Sequence, residues 1–333
     1  MPDFPAITTV DSHTAGHPTR VVTGGLPQLT GQTVAEKMDD FSQHHDHLRT
    51  FLLHEPRGHA AMVGAVLTNS SQADFGAFFL GTYNYLPMCG HATVGLAVTL
   101  DHLGLIQSRG QAAVQFSLEV PAGIIVVDVH YQDERIKSVS FRNVPAFMVA
   151  SDSQFAEIPV VFDLAYGGNW YALIEARSAG VELKPDGVRH AMDVGSSLKA
   201  AINARIDAGD IPAMQTHIHS VLFHDGQRVA DQYLNRQLVV LAPNKFDRSP
   251  CGTGTSARLA QLLEAGVIQA GERIVSRNIL DVDFIASAQP IPGAGDAGRT
   301  TYEPVIEGVA HITGTHSFLC SPDDPLADGF LCN

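Results

Sequence analysis

Two cysteines carry the chemistry that this sequence can offer. Cys251 stands in "SPCGTGTSARLA", before a Gly-Thr-Gly-Thr turn that opens a helix-like run. Cys89 stands in "MCGHATVGLAVTLDHLGLI", in the same relation to a second helical run. Fifteen residues separate Cys89 from Gly104, and fifteen separate Cys251 from Gly266. Each segment therefore reads as a turn, a helix of about three turns, and a Gly at the position just past the helix where positive φ is tolerated. The second copy follows the first by 162 residues, about half the chain. The repeat implies two lobes of related design, each presenting a Cys-Gly pair at a helix mouth.

A helix N-terminus carries unpaired N–H groups and about half a positive charge. A thiol placed there is expected to have its pKa lowered. The Gly after each Cys lets backbone approach a ligand, and bare N–H groups can hold a carboxylate. Two such mouths facing one small molecule would invert a carbon acid: one thiolate takes the α-proton and the opposite thiol returns a proton to the other face. Donors around the carboxylate would stabilise the enolate-like charge that develops. Cys320 and Cys332 lack a glycine-rich turn and read as small buried hydrophobes.

The elements that must position these thiols are mostly strands. "TTVDSH", "TRVVTG", "MVGAVLT", "GAFFLG", "AVQFSLEV", "GIIVVDVHY", "SVSFRNV", "WYALIEA" and "HSVLFH" are bounded by turn residues. Helical patterns are fewer. "TVAEKMDDFSQHHDHLRTFLL" places Val34, Met38, Phe41 and Leu48 near one face, and "AMDVGSSLKAAINARI" is another. The chain is thus a mixed α/β protein with much antiparallel sheet. Its two lobes are expected at 1–125 plus 300–333, carrying Cys89, and at 126–299, carrying Cys251.

The 333 residues carry 21 Lys+Arg against 35 Asp+Glu, a net charge of −14. That argues against nucleic acid or an anionic membrane as the main partner. The start "MPDFPAITTV" has no basic or apolar leader pattern, and the apolar runs have strand length. A cytoplasmic protein with free thiols is expected. Among 16 His, "HHDH" at 44–47 reads as a solvated helix face, and His13 and His17 flank a turn at Gly16. No H-E-x-x-H or paired C-x-x-C spacing accompanies them, so no metal site is expected. "CGTGTS" lacks the Lys and spacing of a phosphate loop. In "THIHSVLF", alternation puts His217 and His219 on one strand face.

"MCGHATVG" and "DRSPCGTGTSARLA" resemble the two signature motifs of the proline racemase and hydroxyproline 2-epimerase family. The resemblance extends to "DSHTAGHPTRVV", "EPRGHAAMVGAVL", "VPAG" at 120–123, "DLAYGGNWYA" and "DDPLADGF", and so covers essentially the whole chain. It implies an α+β, two-lobed fold like diaminopimelate epimerase, each lobe a curved sheet around a central helix, with the active site between lobes. It implies chemistry without a cofactor, a cyclic imino acid substrate and a homodimer. Cys89 and Cys251 resemble the acid/base pair. Gly90 and His91 match residues that hold the substrate carboxylate or ring nitrogen. Asp247 matches the residue that receives the substrate amine, and Gly252 and Thr253 match a second carboxylate cradle. His219 matches a wall position.

Family members with Cys at both thiol positions resemble proline racemases and 4-hydroxyproline epimerases. The trans-3-hydroxy-L-proline dehydratases usually have Ser or Thr at one of them, since elimination needs no reprotonation at Cα. The pair therefore implies 4-hydroxyproline 2-epimerase, with proline racemase and the dehydratase as alternatives. A non-catalytic amino-acid-binding module is the reading from another class, and it leaves the twin thiols without a purpose. Three departures bear on substrate. Ala92 stands in "CGHAT" where epimerases usually have Gly, a form familiar from some dehydratases. His17 stands where the early motif usually has Glu. "RNILDVDF" at 277–284 brings Asn278 and Asp281 toward an expected pocket edge.

Overall fold

The computed structural model describes residues 6–293, 299–321 and 323–332. The chain forms two compact units, Met1–Phe141 with Gly308–Asn333, and Arg142–Glu307. The break falls after Phe141 rather than at 125. Gly123–Gln132 pairs along its length with Ala113–Val120, so a cut at 125 would split a hairpin.

The first unit contains β1 (Ile7–Thr14), β2 (His17–Gly24), α1 (Val34–His44), α2 (Asp46–Leu53), β3 (Val63–Thr68), β4 (Phe75–Gly81), β5 (Tyr85–Leu86), α3 (Gly90–His102), β6 (Ala113–Val120), β7 (Gly123–Gln132) and β8 (Arg135–Arg142). The second contains β9 (Phe147–Phe155), β10 (Ile158–Tyr166), β11 (Trp170–Glu175), α4 (Val188–Asp207), β12 (Ser220–Val229), β13 (Gln232–Ala242), β14 (Lys245–Asp247), α5 (Gly252–Glu264), β15 (Ile274–Arg277), β16 (Asp283–Pro290) and β17 (Tyr302–Gly308). The chain then returns to the first unit as β18 (Ala310–Phe318).

The repeat seen at the cysteines runs through the strand pairing. In the first unit the order is β18-β1-β2-β3-β4-β6-β7, with β2–β3 and β4–β6 parallel and β5 a short addition to β4. In the second it is β9-β10-β11-β12-β13-β15-β16-β17, with β11–β12 and β13–β15 parallel and β14 a short addition to β13. The parallel pairs need crossovers, which helices supply. Helices α1 and α2 connect β2 to β3, and α4 connects β11 to β12. Helices α3 and α5 make the second crossover in each unit.

Helix α3 packs against β1, β2, β3 and β18, and every residue from Gly90 to Leu100 is buried. Helix α5 packs against β9, β10, β11 and β16, and Gly252–Ala260 and Leu262 are buried. Small residues and internally bonded polar side chains let these helices be buried, and each unit wraps its sheet around one. Separate apolar cores lie under the outer helices. Phe41, Leu48, Leu52 and Phe78 fill one beneath α1 and α2. Phe162, Ile202, Phe223 and Val240 fill the other beneath α4. The two-lobed α+β architecture expected from sequence is the one observed.

Both central helices end alike. Gly104 has φ +71° and Gly266 has φ +65°. The N–H groups of Gly104 and Leu105 donate to the carbonyls of Asp101 and Leu100, both at 2.9 Å. Those of Gly266 and Val267 donate to Leu263 and Leu262 at 3.0 and 2.9 Å. These are paired Schellman turns that satisfy the last carbonyls.

Other expectations are revised. The run at 33–53 forms two helices, with His45 between them at φ −133°. The break puts Asp46 in the first turn of α2, where its carboxylate accepts from Arg49 Nε at 2.7 Å and Tyr85 Oη at 2.5 Å. "HHDH" is therefore a junction, although exposed His44 does lie at a helix surface, paired to Asp40. Cys320 is half-buried against the α1–α2 core, and Cys332 is exposed. Among the described residues no helix is long and apolar enough to cross a membrane.

A Cβ at residue 266 would meet no atom within 4 Å, and one at 104 only an ordinary contact. Gly104→Ala and Gly266→Ala should therefore each cost about 1–2 kcal/mol through backbone strain alone. Urea denaturation monitored by circular dichroism reads this directly. Unchanged midpoints in both variants would show that these turns do not hold the helix ends.

Candidate active site

Cys89 is the N-cap of α3 and Cys251 the N-cap of α5. Both are nearly sealed, with 6% and 5% of their surface exposed. In both, the residue four further on closes the first turn: Thr93 N–H reaches Cys89 O at 2.9 Å, and Thr255 N–H reaches Cys251 O at 2.7 Å.

In the first unit the residue two past the thiol is His91. Its Nδ1 lies 3.4 Å from Cys89 Sγ. Its ring meets His17, at the start of β2, edge-on with centroids 4.3 Å apart. His17 is delivered there by a two-residue hairpin, Ala15-Gly16, with φ of +50° and +91° as such tight turns require. Thr14 Oγ1 donates to His91 O at 2.8 Å. Thr93 Oγ1 donates to Cys89 O at 2.9 Å. The "VPAG" turn between β6 and β7 ties in as well, since Ala122 N–H donates to Pro87 O at 3.0 Å. Ala92 is fully buried in the first turn of α3.

In the second unit the residue two past the thiol is Thr253. Its Oγ1 lies 3.8 Å from Cys251 Sγ and 2.6 Å from Tyr171 Oη. Tyr171 Oη is also 3.5 Å from the sulfur. Thus His91 and Thr253 hold matching places, and a residue near the start of β2 or β11 backs each one. Sequence reasoning missed Tyr171 in this role. Its signal was a tyrosine inside the apolar strand "WYALIEA", beside the quoted "YGGN".

The two caps differ in backbone. Cys89 is extended, with φ −145° and ψ 106°. Cys251 has φ +58° and ψ 98°, a conformation that costs a non-glycine residue about 1–3 kcal/mol. Three contacts hold it there. Ser249 Oγ accepts Cys251 N–H at 3.0 Å while donating to Asp247 Oδ1 at 2.8 Å. Asp247 Oδ1 also accepts Ser249 N–H at 2.8 Å. The turned cap points sulfur back over its own helix, so that Gly254 N–H donates to Sγ at 3.4 Å.

The sequence predicts a lowered thiol pKa at such a helix mouth. The Cys251 thiol is instead pushed well up, first by burial and then by the charge of Asp247. Hydrogen bonds from Tyr171, Gly254 N–H and Thr253 pull the other way and are outweighed.

The loop before β11 makes the close approach that seats α5. A Cβ on Gly167 would fall 2.3 Å from Thr253 O and 2.5 Å from Ala257 N. Asn143 Nδ2 fastens the contact, donating to Gly167 O at 2.8 Å and Ser256 Oγ at 2.9 Å.

His219 and His217 lie before β12 and do not share a strand face. His217 is exposed and paired to Asp207 at 2.7 Å. His219 is half-buried, donates its backbone N–H to Trp170 O at 2.7 Å and sets Nδ1 2.7 Å from Ser220 Oγ. Burial pushes its pKa down to about 3, with Lys199 and Lys245 adding to the effect, so the ring is neutral. Among the described residues none of its hydrogen bonds reaches Cys251 or Thr253. Asn278 organises a turn: its Oδ1 accepts from the N–H groups of Leu280 and Val282, both at 2.9 Å, and its Nδ2 donates to Arg248 O at 2.5 Å. Asp281 is exposed and pairs with Arg236. The 277–284 segment is thus a turn tied through Asn278 to Arg248, in the Cys251 motif, and through Asp281 to Arg236 on β13.

A family model described as proline racemase matches residues 9–331. The chain belongs to the proline racemase family. It is 35% identical to a proline racemase from Acetoanaerobium sticklandii, over 97% of this chain and 98% of the relative. It is 36% identical to a 4-hydroxyproline 2-epimerase from Streptosporangium roseum, over 97% of each. A trans-3-hydroxy-L-proline dehydratase from Bacillus thuringiensis is 34% identical, again over 97% of each. The solved hydroxyproline epimerase from Agrobacterium vitis, with bound trans-4-hydroxy-L-proline, superposes with a TM-score of 0.87 at 31% identity. That superposition covers 98% of this chain and 96% of the other. The family comprises racemases and epimerases, which are isomerases, and a dehydratase, which is a hydro-lyase.

Removing the Asp247 charge should lower the Cys251 thiol pKa, since that charge disfavours thiolate. In Asp247→Asn the pH midpoint for iodoacetamide labelling of Cys251, followed by peptide mass spectrometry, is expected to move down. An upward move would contradict the electrostatics described. Gly167→Ala should cost about 1–3 kcal/mol, because the new methyl group meets backbone that must shift.

Proposed function

We propose that this chain inverts Cα of a cyclic imino acid by a two-base mechanism without a cofactor, acting as a 4-hydroxyproline 2-epimerase. The substrate is trans-4-hydroxy-L-proline and the product cis-4-hydroxy-D-proline. The observation that carries the reading is the matched pair of cysteines. Each caps a 13-residue helix whose N-terminal part is buried, and each helix closes with the same Schellman turn.

In this mechanism one thiolate removes the α-proton and the other thiol delivers a proton to the opposite face. The roles exchange for the reverse reaction. Asp247 receives the substrate's secondary ammonium. That cation offsets the carboxylate charge that helps hold Cys251 neutral. Substrate binding thereby lowers one barrier to forming the base. The helix N–H groups at Gly90-His91 and Gly252-Thr253 stabilise the charge that builds on the substrate carboxylate as Cα–H breaks.

Overall identity does not choose among the family's reactions, since the three relatives differ by only two percentage points. Retention of both thiols favours inversion over elimination. The likeness to an epimerase solved with trans-4-hydroxy-L-proline favours that ring. Ala92 supports a second reading, trans-3-hydroxy-L-proline dehydratase, because it replaces the Gly usual in epimerases.

The purified protein, without added cofactor, should change the optical rotation of trans-4-hydroxy-L-proline and not that of proline. Cys89→Ser and Cys251→Ser should each reduce inversion by about 10²–10⁴-fold, the usual weight of a general acid or base. A cyclic imine from trans-3-hydroxy-L-proline, revealed with o-aminobenzaldehyde, would replace the epimerase reading by the dehydratase one. Wild-type turnover in both serine variants would remove the two-base mechanism.

A further inference from the structure

Tyr171 is a buried titratable group that the mechanism above leaves unused. It lies on β11 with 2% of its surface exposed. Its hydroxyl, Thr253 Oγ1 and Cys251 Sγ form a triangle with sides of 2.6, 3.5 and 3.8 Å. Two hydroxyl protons serve three heavy atoms. When one hydroxyl donates to the other, the remaining proton is free to point at sulfur. A Thr253 hydroxyl that turns to a substrate carboxylate leaves Tyr171 as the donor that can stay with the thiolate.

Among the described residues of this unit, the other hydrogen-bonding contacts to the thiol are Thr253 Oγ1 and Gly254 N–H, and the rest of its surroundings is apolar. Ala165, Leu173, Leu222, Val239 and Ala257 pack the cluster that holds Cys251, with Met148 at its edge. The titratable groups facing the sulfur within this unit are Tyr171 from β11 and Asp247 from β14, and Asp247 opposes the thiolate. Gly254 N–H supplies one donor from α5. A buried thiolate with one backbone donor is poorly solvated, and a second, charge-assisted hydrogen bond is worth roughly twice a neutral one.

We propose that Tyr171 is a positioning residue whose hydroxyl donates to the Cys251 thiolate and sets the acidity of that thiol. This rests on the reading of Cys251 as one of the two bases. The phenol keeps its own proton throughout, and the thiol proton leaves to the substrate carbon in turnover or to solvent in a titration. Burial keeps Tyr171 protonated by holding its pKa well above the ordinary phenol value, with the neighbouring Cys251 adding to the effect. On strand β11, Tyr171 thus does for the second thiol what a strand can do and a helix cap cannot. It brings a donor to sulfur from outside the helix.

The test is the pH profile of Cys251 alkylation by iodoacetamide in the full-length protein, read by peptide mass spectrometry. Tyr171→Phe keeps the ring and removes the donor. Its midpoint should rise by about one pH unit, so that labelling at a fixed pH below the midpoint slows about tenfold. An unchanged or lowered midpoint in a variant with a wild-type circular dichroism spectrum overturns the proposal, because a ring that only packs would leave the profile in place. Should Tyr171→Phe fail to fold, 3,5-difluorotyrosine at position 171 gives the same decision with the hydroxyl retained. Its more acidic phenol is a stronger donor and should lower the midpoint, and an unchanged or raised midpoint overturns the proposal. The readout needs no turnover. A shifted midpoint in an enzyme that inverts no imino acid would refute the function and leave the hydrogen bond standing.

Discussion

A helix buried on every side can meet a ligand only at its ends. That constraint governs both units. Gly90–Leu100 and Gly252–Ala260 have no exposed face, so their packing fixes the direction in which each N-terminus points. The C-terminal end of each is closed by a Schellman turn that satisfies its carbonyls internally. What remains is the N-terminal end, where N–H groups lack partners from their own helix. Placing cysteine at the cap puts a titratable atom at the one chemically open point of an otherwise sealed element.

The two copies then diverge around a shared plan. At Cys89 the backbone is relaxed and the sulfur is matched with an imidazole, which His17 steadies from β2. At Cys251 the backbone is strained and the sulfur is matched with hydroxyl groups, while Ser249 and Asp247 hold the cap from behind. The first arrangement offers the thiol a group that can itself carry a proton. The second offers fixed dipoles and a nearby negative charge. The two thiols are therefore chemically unequal within a shared plan.

The central design was legible because it depends on local rules. Cys at the cap, Gly two residues past the helix and an equal step between them are set by helix geometry alone, and the structure places Gly104 and Gly266 at positive φ as that spacing requires. Strands with strong apolar content, such as "GAFFLG" and "WYALIEA", were legible for the same reason. Strand β18 was not. Its exposed, His- and Thr-rich sequence carries little apolar pattern, and pairing with β1 across the length of the chain makes it a strand. The division at Phe141 was also hidden, because it depends on which strands pair and not on composition. At the site, Tyr171 and the Ser249–Asp247 link escaped notice since they meet Cys251 through tertiary packing. The part Asn278 plays in its own turn and in holding Arg248 was likewise hidden, because both depend on tertiary hydrogen bonds.

The return of β18 to the first unit has a consequence for how the molecule is made. Helix α3 packs on β18 as well as on β1 and β2, yet β18 is formed from residues 310–318. The Arg142–Glu307 unit is continuous in the chain and has all its strands once they have left the ribosome. The Cys89 unit, begun earlier, must wait with one side of its central helix uncovered until residues 310–318 are synthesised. In order of synthesis, the second half of the chain is therefore the first that can be completed.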